Sequence, residues 1–260
     1  MSAEAADAMA RAMQDYWDTN PAKLGLTGVA YASPAYFARV RDHHLDSFAF
    51  SNSLIDWPSL KAARVLDIYH GIAIDALMFA QAGADVTHIA PTQKLKALAE
   101  VYFQQNSQAA DIRYARPQDL ALAENSYDLI SARAVFMFEA NPGEIVTALY
   151  RSLKPGGFLL AHFLNRHSWY PVLAKASKTP LIGEGEDPPY IRLDRVKEIA
   201  PLFRSFSNTE IYYDRFPTKT TLKNGLKSVL YNDVLVPVTQ ALPKPWLKPF
   251  GYYIVIMAQK

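Results

Sequence analysis

The chain has 260 residues, half of them hydrophobic and 20% charged, a balance that fits one large globular core. Its 27 basic and 25 acidic residues, read as spread along the chain, leave a net charge of +2 without the sustained field that nucleic-acid binding needs. With no cysteine, disulfides, thiolate metal sites and cysteine nucleophiles are excluded.

The opening stretch has no basic segment followed by a continuous apolar run, and nothing approaches the roughly 20 apolar residues of a membrane span, so a cytoplasmic location is the expectation. Met9, Ala12, Met13, Tyr16 and Trp17 recur at helical spacing and predict an amphipathic helix ending near Asn20-Pro21. Residues 1–50 are therefore expected to form a helical lid or packing arm ahead of an α/β domain over 51–260. A second helix, Pro34 to Phe48, carries the adjacent His43 and His44; neighbours in sequence point to different sides of a helix, so both read as surface or capping residues.

From Arg64 to Ala90 the chain reads strand, tight turn, helix, strand. Val65, Leu66 and Ile68 form a short apolar run, Tyr69-His70-Gly71 breaks it, and apolar residues recur at helical spacing from Ile74 to Ala82. This is half of a nucleotide-binding βαβ unit, whose first turn aims backbone N–H groups and a positive helix end beyond the strand's carboxyl edge. Thr92 can cap the next helix, with Leu95, Leu98, Ala99, Tyr102 and Phe103 on one face. Strands follow near 112–115 and from Ser126. A helix marked by Ile145, Leu149 and Leu153 is expected to stop at the turn LKPGG before the strand FLLAHFL.

A helix is predicted from Leu193, and strands from Glu210 and Gly251, with a proline-rich excursion at about 219–250 between the last two. The excursion reads as a cover over the cleft or an edge, with contact to a membrane surface as the alternative. Alternating strands and helices imply an α/β, doubly wound, mostly parallel sheet with a closing antiparallel hairpin.

Several stretches resemble class I S-adenosylmethionine-dependent methyltransferases: RVLDIYHGIA with Asp67 and Gly71, the AGADVT turn, the ENSYDLI strand, LKPGG, NRHSWYP and the closing GYYIVIMAQK. The resemblance implies a seven-stranded sheet and a cofactor cleft touching Asp67, Tyr69, Gly71, Ala73, Ala90 and Arg116. The sequence departs from the family pattern within that cleft. Tyr69 and Ala73 stand where the family has glycine, Ala90 where it has a ribose-binding carboxylate, and Ala115-Arg116 where it has an adenine-binding acid. Met137-Phe138 replaces a histidine pair.

Two lost hydrogen bonds to charged groups remove roughly 3–6 kcal/mol, or two to four decades of affinity. The reading is therefore a methyltransferase-fold protein whose S-adenosylmethionine site is degraded and which binds or transforms another small molecule. The alternatives are an active, divergent small-molecule methyltransferase and a non-catalytic subunit of a homo- or hetero-oligomer. His70, Tyr69 and His167 are the catalytic candidates, although His70 also fits a structural plug. Arg133, Met137, Trp169 and Tyr170 are candidates for substrate contact, with core burial as the other reading of Trp169. The histidine spacing fits no metal motif.

Overall fold

The computed structural model describes residues 3–19, 21, 26, 28–68, 71–116, 119–182, 186–217 and 229–260. Eight strands form one sheet: β1 (Arg64–Ile68), β2 (Asp85–Ala90), β3 (Asp111–Tyr114), β4 (Tyr127–Ala132), β5 (Leu153–Asn165), β6 (Leu193–Asp194), β7 (Asn208–Asp214) and β8 (Tyr253–Gln259). Their order is β3-β2-β1-β4-β5-β8-β7, and the two-residue β6 pairs with the far end of β5. Strands β1 to β5 run parallel, while β8 is antiparallel to both β5 and β7. The doubly wound sheet and closing hairpin expected from the alternation are present, with β6 as an additional short strand.

Helices lie on both faces, as buried parallel strands require. On one, α2 (Pro34–Ser47), α3 (Ala49–Ser53), α4 (Ile74–Gln81) and α5 (Gln93–Gln105) accompany an apolar layer including Phe37, Val65, Leu77, Leu98, Leu129 and Leu160. On the other, α6 (Pro142–Ser152) sets Ile145, Val146 and Leu149 against Leu66, Ile130, Leu159 and Phe163. Alternate residues of β1, β4 and β5 thus serve opposite layers, the period-two pattern of a strand buried on both sides. Side-chain caps fix two helix starts: Ser33 Oγ accepts from the Tyr36 amide at 3.2 Å, and Thr92 Oγ1 from the Leu95 amide at 3.0 Å. The amphipathic N-terminal segment is α1 (Ala3–Thr19).

Three local expectations change. LKPGG does not end in a free turn: Leu153 pairs with Tyr127, and the register shifts before Phe158 pairs with Leu129, so the five residues form the irregular start of β5. Partner strands on either side supply hydrogen bonds that a turn reading ignores. The helix expected from Leu193 starts instead at Val196 as α8 (Val196–Ile199), because Leu193 and Asp194 pair with β5. Part of the excursion is helical, with a wide turn at Leu230–Leu235 running into Val236–Ala241; positions 218–228 lie outside the described residues.

Gly251 leads into β8 where the backbone of Asp214 closes on it. A Cβ there would stand 2.8 Å from the Asp214 carbonyl oxygen and 2.9 Å from its nitrogen. Main chain cannot swing aside as a flexible side chain can, so Gly251→Ala is expected to cost about 1–3 kcal/mol. A lower urea midpoint with an unchanged denaturant slope is the measurement that checks it.

Candidate functional site

Ligands of open α/β sheets bind beyond the carboxyl ends of the strands, where β1 and β4 meet. There Gly71, Ile72 and Ala73 are buried, and Ala73 takes a left-handed backbone (φ 59°) to start α4. Tyr69 and His70 lie outside the described residues. Ala90 ends β2 fully buried. Helix α1 crosses this edge: Met13 and Trp17 are buried in one cluster with Ala90, Leu95, Ala134, Met137 and Phe138. The Trp17 ring meets Phe138 edge-on at 5.0 Å between centroids. Met137, expected to touch substrate, is packed in this apolar layer at the edge.

Beneath that layer, one face of the sheet carries buried polar residues. His88 Nδ1 donates to Asp67 Oδ2 at 2.8 Å, and Ser131 pairs with Asp67 in register. One step further along β4 and β5 stand Arg133 and His162, both fully buried. Asp75, in the first turn of α4, accepts at Oδ1 from His44 Nε2 at 2.8 Å and lies 3.4 Å from Arg133 Nη1. Arg133 Nη1 also donates to Asn52 Oδ1 at 2.7 Å. Phe48 fills the remaining side, with its ring 5.7 Å from the guanidinium carbon.

Charge decides the protonation here. Burial pushes the Asp75 carboxyl up, but Arg133 and then His44 outweigh it, and the pKa falls to about 2. Burial, reinforced by the positive Arg133, holds His162 well below the usual imidazole value, so its ring is neutral. Several polar atoms in this layer make no hydrogen bond: Asp67 Oδ1, Asp75 Oδ2, Ser131 Oγ, Arg133 Nε and Nη2, and both nitrogens of His162. Buried polar atoms are normally paired, so such a group marks a place for water or a ligand. His44 corrects the surface assignment: it is 3% exposed, because α2 turns that side inward over Asp75.

The catalytic candidate that the sequence reading passed over is Glu139. It follows the apolar run Ala134–Phe138 that leaves β4, and the positive charge of Arg116, itself ion-paired with Asp119, acts on it. Burial raises its carboxyl to about 7 against the pull of Arg116. Attention had rested on the two apolar residues just before it, whereas a lone acid directly beyond such a run was the available sign.

The remaining candidates stand apart. His167 is exposed and lines a separate concavity of about 480 Å³, together with Asn165, Arg195, Lys197, Tyr213 and Phe250. Trp169 donates through Nε1 to the Arg215 carbonyl at 3.0 Å, and Tyr170 through its hydroxyl to the Pro180 carbonyl at 3.1 Å. The structure thus brings Asp67, Gly71, Ala73, Ala90, Arg133 and Met137 to one edge and leaves His167 in another cavity. No group of three or more metal-ligating side chains occurs among the described residues.

Residues 66–161 match the methyltransferase domain family. Ubiquinone biosynthesis O-methyltransferase of Bordetella avium is 31% identical over 110 residues, 42% of this chain and 46% of that protein. The same-named protein of Xanthomonas oryzae is 33% identical over 108 residues, 41% and 45%. The matched stretch spans about half the length of these curated relatives. Among solved structures, a SAM-dependent methyltransferase from Thermotoga maritima superposes with a TM-score of 0.56 at 15% identity, covering 95% of this chain and 99% of that one. Another, from Archaeoglobus fulgidus, gives 0.55 at 13% identity over 86% and 99%. These two establish the fold.

The relatives overturn the expectation of a chain that has abandoned methyl transfer, since those similar in sequence carry the name O-methyltransferase. That expectation weighed two missing carboxylates, Tyr69 and Ala73 in place of glycines, and the loss of a histidine pair. The buried polar atoms described above were not visible to it.

The ion pair of Arg133 and Asp75 yields a sharp stability test. Removing the cation alone, as in Arg133→Met, leaves a buried carboxylate uncompensated and is expected to cost about 3–5 kcal/mol. Because the folded pKa of Asp75 is depressed, its contribution is complete above pH 4 and is lost as pH falls toward 2. Urea unfolding across that window checks both: the wild type loses stability on acidification, and the variant shows a flatter profile.

Proposed function

We propose that this chain is an active class I S-adenosylmethionine-dependent methyltransferase that methylates an oxygen of a small molecule. The observation that carries the reading is the family match over residues 66–161, the segment whose strands build the carboxyl edge where Glu139 stands. The names of the sequence relatives supply the choice of oxygen as acceptor.

The residues present fit the cofactor best at its amino-acid end. Arg133 Nε and Nη2 form the free bidentate edge of a buried guanidinium, the partner a carboxylate requires. Asp67 Oδ1 and Asp75 Oδ2 are unpartnered acceptors suited to an ammonium. The nucleoside would rest on the apolar surface of Ala90, Met137 and Phe138 and on the backbone donors near Gly71. When bound, S-adenosylmethionine supplies an electrophilic methyl carbon carried on a sulfonium.

The chain's own contribution is deprotonation and exclusion of water. A hydroxyl is a poor nucleophile until its proton leaves, and a carboxylate with a pKa near 7 is a suitable base at neutral pH. Glu139 Oε accepts that proton, and the positive charge of Arg116 favours the ionised form. Met13 and Trp17 of α1 close the edge against solvent, which strengthens these electrostatic effects.

Calorimetry with S-adenosylhomocysteine is expected to show saturable binding; a flat titration sinks the proposal. With a phenolic acceptor, kcat should rise with pH through about 7, because the base works only when ionised. Glu139→Gln is expected to lower kcat by roughly 10²–10⁴ and to remove that inflection while leaving cofactor affinity unchanged. A rise in the cofactor Kd instead would make Glu139 a binding group.

A further inference from the structure

We propose that residues 229–250, ahead of β8, form a docking face for an anionic phospholipid surface. Among the described residues ten large hydrophobic side chains are exposed, and six of them fall here: Val229, Val234, Val238, Leu242, Trp246 and Phe250. Trp246 is 71% exposed. The other side of the segment faces the protein: Val236 is fully buried, Tyr231 nearly so, and the Tyr231 ring lies 6.1 Å from that of Trp169.

Charge selects the occupant. Lys248 is exposed between Trp246 and Phe250, and Asp233 is the one acid among residues 229–250. Lysine is depleted from the cores of protein–protein interfaces, whereas here it is interspersed with the apolar residues. Tryptophan and phenylalanine with flanking lysines suit the boundary between acyl chains and anionic headgroups. Helix α7 (Trp169–Ser177), beside the segment, continues the pattern with exposed Val172 and Lys175. The concavity next to Phe250 adds the cations Arg195 and Lys197. No helix among the described residues is long and apolar enough to cross a membrane, so the contact is peripheral.

The proposal rests on this surface alone and is independent of the reaction. The test is flotation of the full chain with vesicles of phosphatidylcholine, with and without phosphatidylglycerol, followed by tryptophan fluorescence. Binding is expected only with the anionic vesicles, with a blue shift from Trp246, and should weaken as salt is raised. Trp246→Glu combined with Phe250→Glu is expected to lower partitioning about tenfold or more, and Lys248→Glu several-fold. All three positions are exposed, so the variants should keep the wild-type circular dichroism, and the salt dependence of the wild type tests the idea without any substitution. Equal recovery with neutral vesicles, no recovery with either, or a self-association that these substitutions abolish without vesicle binding would each overturn it.

Discussion

The buried pair of Arg133 and Asp75 constrains the molecule more than any other contact. Neither charge reaches solvent, so each is tolerated only because the other is in place. Holding them there ties β4 to the first turn of α4, and through His44 and Asn52 it fixes α2 and α3 over the same sheet face. Satisfaction is still partial, since two of the three guanidinium nitrogens and one carboxylate oxygen are unpaired. A purely structural pair would be cheaper to replace with apolar packing. The arrangement makes sense where polarity is needed at the edge of β1 and β4.

That edge and the lipid-facing segment share a strand. β5 carries His162 into the polar layer and ends at Asn165, whose side-chain amide donates to the carbonyls of Pro249 and Gly251, both at 2.8 Å. The base of the excursion is therefore pinned to the strand beside the site. An enzyme so built would meet acceptors that partition into a bilayer at the surface where they reside.

The regular parts of the fold were legible because they rest on local periodicity. The apolar spacing of Ile74 to Ala82 and the Thr92 cap required no knowledge of distant residues, and α4 and α5 form there. What escaped depends on pairing across the chain. LKPGG reads as a turn until Tyr127 and Phe158 are seen in the ladder. His44 reads as a surface residue until Asp75, 31 positions away, is placed against it. The candidate site was legible as an address and not as chemistry. Asp67, Gly71 and Ala90, expected to line one cleft, stand along one edge, but Glu139 gains its pKa from burial that no motif encodes.

Helix α1 carries a kinetic implication. Met13 and Trp17 are seated among Ala90, Met137 and Phe138, and lifting two such side chains into water costs on the order of 3–6 kcal/mol. A form with this edge uncovered is then populated at roughly one part in a hundred to one in ten thousand, and apparent affinity at the edge is diluted by the same factor. Whatever seats itself there must recover that deficit through its own apolar surface, so an apolar body is favoured over a small hydrophilic one, and the opening of α1 would gate access to the edge.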